Sequence, residues 1–179
     1  MLRGLALLAV VCSLPLAAAD KISSSEAPRP NFSGVWVMNV GQSQFDKAKP
    51  VRSMRLQIEH NQNDVLKVDM LIQTKDEDDR SLTTYVIGRE DNRNRLSRAE
   101  LTTNAFWERA TLHLQSTGKL TGVLGFFIRS QVTLKDQWSL SPDGRILTIL
   151  RDQKGGPVGD LKQKYVFERA ETKISAPQR

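Results

Sequence analysis

From Gly34 onward, apolar residues in this chain recur at every second position. Gly34, Trp36, Met38 and Val40 alternate with Val35, Val37 and Asn39, and Met54, Leu56, Ile58 and His60 alternate with Ser53, Arg55, Gln57 and Glu59. Leu66, Val68, Met70 and Ile72 continue the pattern. Side chains of a strand point alternately to its two faces, so each run predicts a strand with one buried face. Further strand-like runs are Ser81–Ile87, Arg95–Leu101, Phe106–Gln115, Phe126–Leu140, Ile146–Arg151 and Leu161–Ala170. No sustained helical stripe competes with them, apart from one possible turn around Gly41–Lys47.

The connections carry turn chemistry. His60-Asn61-Gln62-Asn63-Asp64 joins two alternating runs, and Ser141-Pro142-Asp143-Gly144 puts proline and glycine where a tight turn uses them. Lys75–Arg80 and Lys154–Asp160 are polar or glycine-rich tips. Eight to ten short strands in meander order would leave adhesive edges in an open sheet. A single antiparallel up-and-down barrel is therefore expected, with a two-sheet sandwich as the competing arrangement.

The ends read differently. Met1–Ala19 has a short basic start, an apolar run and a terminal Ala-Ala-Ala, the pattern of a cleaved export signal with cleavage after Ala19. The run is too short for a membrane-spanning helix, and no later stretch approaches that length. A periplasmic or secreted protein is expected. Removing 19 of the 179 residues leaves 160, takes away the one cysteine and lowers the net charge from +6 to +5. Disulfides, thiol catalysis and cysteine-zinc sites are thereby excluded for the processed chain. Residues 20–31 read as a polar arm, 32–170 as the folded domain and 171–179 as a tail.

Asn31-Phe32-Ser33-Gly34-Val35-Trp36 carries a Gly-x-Trp at the first strand, and Tyr165-Val166-Phe167-Glu168-Arg169 carries an arginine late in the last. In this the chain resembles the lipocalins and their calycin relatives. That likeness implies that Arg169 lies across the indole of Trp36, clasping one end of a barrel. The set Ser43-Gln44-Phe45, Met54–His60, Asp136–Thr148 and Val166–Arg169 looks like small secreted bacterial lipocalin-like proteins of unassigned function. The resemblance spans most of 32–169 and implies a fold rather than a reaction.

Several residues bear on function. Asp136 shares a strand face with Val132, Leu134, Trp138 and Leu140. A carboxylate there must be paired, protonated, or in contact with a ligand or water in the lumen. Met38, Met70, Trp107, Asp136 and Trp138 are the candidate ligand-lining residues of such a lumen, and the expected cargo is a small apolar or amphipathic molecule. His60 is in phase with the inward residues of its strand, and His113 with Trp107, Arg109 and Thr111. A single lumenal imidazole is the minimum for haem ligation, but a hydrogen-bonded rim position is the simpler expectation, and no cofactor or metal is expected.

Asp76-Glu77-Asp78-Asp79 lacks a calcium-loop spacing and reads as a solvated tip; Arg89, Arg93, Arg95 and Arg98 read as a charged face, with no nucleic acid expected. Val123, Leu124, Phe126 and Phe127 crowd the stretch Gly118–Ile128, which is either a buried hairpin or an apolar lip able to touch an envelope surface. Nucleophile, P-loop, zincin and dinucleotide motifs are missing, which weighs against an enzyme. Three readings follow: a carrier, an interaction module with a filled barrel, or an enzyme using a lumenal carboxylate.

Overall fold

The computed structural model describes residues 28–48, 51–97, 99–121 and 129–171. The expected export segment, most of the arm, Arg98, the Val123–Phe127 lip and the tail beyond Glu171 lie outside the described residues. The fold is all-β: ten antiparallel up-and-down strands form a nearly closed barrel. They are β1 (Gly34–Met38), β2 (Ser53–His60), β3 (Val65–Gln73), β4 (Asp78–Val86), β5 (Asn92–Leu96), β6 (Ala99–Glu108), β7 (Thr111–Thr121), β8 (Arg129–Leu140), β9 (Ile146–Gly155) and β10 (Leu161–Arg169). The expected helical turn is a single 3-10 turn at Val40–Gln42, capped by the Asn39 side chain.

The hydrogen-bonded order is β4-β3-β2-β1-β10-β9-β8-β7-β6-β5, so first and last strands pair and β4 and β5 meet at the seam. That seam is closed by asparagine side chains standing in for a backbone ladder. Asn94 accepts from Thr84 N at 2.8 Å and donates to Thr84 O at 3.1 Å. Asn92, buried, accepts from Val86 N at 2.7 Å and donates to the carbonyls of Val86, Arg89 and Thr103. Beyond the end of β4, Gly88 N donates to Ala105 O and Ala105 N to Arg89 O, tying the next loop directly to β6. Paired in these ways, neither edge strand is left as an adhesive margin.

Two sequence runs expected as single strands are hairpins. Arg95–Leu101 spans the turn between β5 and β6, and Phe106–Gln115 spans the turn between β6 and β7. The second turn is only Arg109-Ala110, with Arg109 at φ 55° instead of the usual glycine or asparagine. Because paired residues share a face, the turn sets Trp107 opposite Leu112 and Phe106 opposite His113. His113 therefore stands on the outer face, stacked on Phe106 with ring centroids 5.1 Å apart, and not beside Trp107 as its spacing had suggested.

One end of the barrel is filled with aromatics. Phe32 stacks on Trp107 (5.8 Å, 7°) and meets Trp138 edge-on (6.0 Å). Trp36 is fully buried, donates its indole N–H to Phe32 O at 2.9 Å and carries Arg169 Cζ 4.2 Å above its ring. Arg169 also donates to Ser33 O at 2.6 Å and to Gly144 O at 2.9 Å. The clasp thus joins the first strand, the last strand and the β8–β9 turn. Gly34 sits beneath the guanidinium at φ 139°, where a Cβ would run into Arg169 Nη1. That close approach is why this position is glycine. Arg29 and Asn31, expected in the arm, bond to Asp64 and to His60 O.

Candidate functional site

Barrel diameter grows with strand number, and an eight-stranded barrel is just wide enough for side chains to fill. Here ten strands and mid-barrel residues as small as Val68, Thr83 and Ser116 leave a cavity of about 220 Å³. It extends from Trp138, Leu56 and Val68 near the aromatic end to Ile72, Leu96, Leu101 and Leu134 toward the other. Phe45 and Val51, from the β1–β2 connection, also line it.

The Ser43-Gln44-Phe45 motif places that connection over the barrel. Ser43 Oγ donates to Asn39 O at 2.8 Å and accepts from Val166 N at 3.1 Å. Gln44 exchanges two backbone hydrogen bonds with Lys164, and Phe45 meets Tyr165 edge-on at 6.1 Å. Asp46 then accepts from Lys162 N. The strap is pinned at several points to β10, so the phenyl ring is held over the lumen by backbone contacts as well as by its own packing.

A polar pair stands in the lumen wall. Asp136 on β8 faces Arg151 on β9 in register, and the guanidinium donates through Nε (2.8 Å) and Nη2 (2.7 Å) to the two carboxylate oxygens. This two-pronged geometry is the strongest an arginine–carboxylate pair adopts. Both side chains border the cavity, and 8% of Asp136 and 31% of Arg151 is accessible. Burial alone would pull the Arg151 pKa down, but the charge and hydrogen bonds of Asp136 outweigh it and hold it above the ordinary value. Arg151 also lies 5.6 Å from the ring of Tyr165. Tyr85 and Tyr165 both line the cavity, and burial raises both phenol pKa values above 10, so both are hydrogen-bond donors at neutral pH.

Of the five ligand-lining residues read from sequence, Met70, Asp136 and Trp138 border this cavity. Met38 and Trp107 do not: Met38 is buried in the core, and Trp107, partly buried, packs against Phe32 and His60. Alternation identified the inward face and carried no information about depth along the barrel. Sequence reasoning passed over Tyr85, Arg151 and Phe45. Arg151 was legible in principle, since it follows Leu147 and Ile149 at spacing two, but it closes its run and looked like a solvated end.

Neither histidine borders the cavity. His60 is wedged between Phe32 and Trp107, with Nδ1 accepting weakly from Phe32 N (3.5 Å) and Nε2 3.5 Å from Asp64. Among the described residues no group of three or more histidine, cysteine or acidic side chains could hold a metal ion. Of the acidic tip, Asp78 accepts from Gln73 and Asp79 from Ser97. Asp69 pairs with Arg80, and Glu59 with Lys67. Arg89 and Arg95 likewise have acidic partners, Asp91 and Glu100. No helix among the described residues is long and apolar enough to cross a membrane.

The fold and its lumen define a ten-stranded antiparallel barrel with an ion pair set into the wall of a mainly apolar cavity. No protein-family model matches the chain, and no curated protein does either.

Proposed function

We propose that this is an exported, lipocalin-like carrier that holds a small apolar or amphipathic molecule inside its barrel. The observation that carries the reading is the cavity of about 220 Å³, apolar over most of its lining and strapped by Phe45. A dry apolar cavity of about 150 Å³ already accepts a benzene-sized guest, so this one suits a compact molecule of about ten non-hydrogen atoms. The lumen is not packed solid, which favours a carrier over an interaction module with a filled barrel. Asp136, the lumenal carboxylate of the enzymatic reading, has both oxygens engaged by Arg151 and is a strut of the wall rather than a free base. The export reading rests on the Met1–Ala19 pattern and the family reading on the ordered motifs.

The test is native mass spectrometry of protein purified from its own host, with thermal melting against a panel of small lipids, terpenoids and haem. A copurified small molecule, or a saturable rise in melting temperature with a lipid or terpenoid, is the expected result. Empty protein together with no shift across the panel would overturn the carrier reading.

A further inference from the structure

We propose that the lumen selects an uncharged guest bearing one hydrogen-bond acceptor, such as a carbonyl or hydroxyl on a compact hydrocarbon, and rejects the corresponding carboxylate. This rests on the carrier reading and specifies its ligand.

The cavity wall presents one formal cation and one formal anion, joined through Nε and Nη2 of the guanidinium. Their charges cancel. An anionic head entering beside them would be desolvated without a net counter-charge to offset the loss. A cationic head would meet the accessible guanidinium. Either transfer is costly in an apolar enclosure, whereas a neutral acceptor carries no such cost.

Donors, by contrast, are in surplus. The Nη1 edge of Arg151 is not used by Asp136, and the phenols of Tyr85 and Tyr165, whose oxygens interact with Thr83 and Arg151, keep their own O–H groups on the same lining. The indole N–H of Trp138, also on the lining and 5% exposed, is buried with no hydrogen-bond partner. A buried donor without an acceptor is uncommon and points to an acceptor supplied from outside the chain. Asp136, the charged acceptor on the wall, already has each oxygen engaged by Arg151. A guest is therefore asked for an acceptor and not for a charge.

The experiment is isothermal titration of the full processed chain with three probes of matched size: nonane, nonan-2-one and nonanoate. At pH 7.5 the ketone is expected to bind roughly tenfold or more tightly than nonanoate, the minimum that an uncompensated charge implies, and more tightly than the alkane. As pH falls toward the range of an ordinary carboxyl group, nonanoate should tighten by about tenfold per unit as its neutral form fills the site, while the ketone stays flat. Asp136→Asn leaves Arg151 uncancelled and should make nonanoate binding tighter and independent of pH between 6 and 8. If that variant does not fold, the wild-type ratio and pH profile still decide. Nonanoate binding as tightly as the ketone at pH 7.5, or ketone and alkane binding equally, overturns the selectivity while leaving the carrier intact. Failure of all three probes to bind overturns the carrier reading as well.

Discussion

Replacing Gly34 by alanine should damage the barrel mainly through Arg169, and a double-mutant cycle can show it. Gly34 has φ 139°, a region other residues enter at a cost of about 1–2 kcal/mol. The added methyl would also collide with Arg169 Nη1, forcing the guanidinium off the Trp36 ring. Displacing Arg169 forfeits a cation–π contact at 4.2 Å, worth about 0.5–1 kcal/mol at an exposed site. It also forfeits the hydrogen bonds to Ser33 O and Gly144 O, about 0.5–1 kcal/mol each given the exposure of this side chain. Gly34→Ala should therefore cost about 3–4 kcal/mol in the wild type. In an Arg169→Ala background only the backbone strain remains, about 1–2 kcal/mol, so the two substitutions should couple by about 2 kcal/mol. Urea unfolding of the four proteins measures this, provided the slopes agree. Equal costs of Gly34→Ala in both backgrounds, within about 0.5 kcal/mol, would refute the clasp.

Two other outcomes follow from buried polar groups. Asn92→Ala should lower stability by about 2–4 kcal/mol, since Val86 N and the carbonyls of Val86, Arg89 and Thr103 lose a partner at once, while Asn94→Ala on the exposed side of the seam should cost about 1 kcal/mol or less; thermal unfolding reads both. The protein has two tyrosines, both in the lumen and both with pKa raised by burial. A raised phenol pKa leaves stability intact below about 10 and removes it as pH climbs further, because the unfolded chain releases its protons first. Tyrosinate absorbance at 295 nm should thus stay flat through pH 10 and then rise in one step together with unfolding; a step near pH 10 in the folded protein would contradict the enclosure.

Most of the barrel was legible because alternation is a strong signal wherever one face is dry. Leu56, Ile58, Leu66 and Val68 all point inward as their spacing says. What escaped were features that alternation does not encode. The Arg109-Ala110 turn lacks glycine and asparagine, so Phe106–Gln115 read as one strand and His113 was assigned to the wrong face. The seam escaped because Asn92 and Asn94 look like loop residues until β4 is laid beside them. At the site, Asp136 stood out as a charge among apolar neighbours, but its partner did not, since an arginine at the end of an apolar run is ordinarily solvated. Only the β8–β9 register brings Arg151 opposite it.

A guest must enter the lumen at the level of the ion pair if the barrel is a carrier. Of the three methionines of the folded domain, Met54 and Met70 line the cavity, while Met38 is packed in the core beside the lining residue Phe167 and does not itself border the cavity. Methyl NMR of methionine-labelled protein titrated with nonan-2-one should move the Met54 and Met70 signals saturably and the Met38 signal less, since Met38 meets the guest only through its neighbours. Unmoved Met54 and Met70 methyls at saturating ketone, or shifts confined to Met38, would contradict the carrier reading.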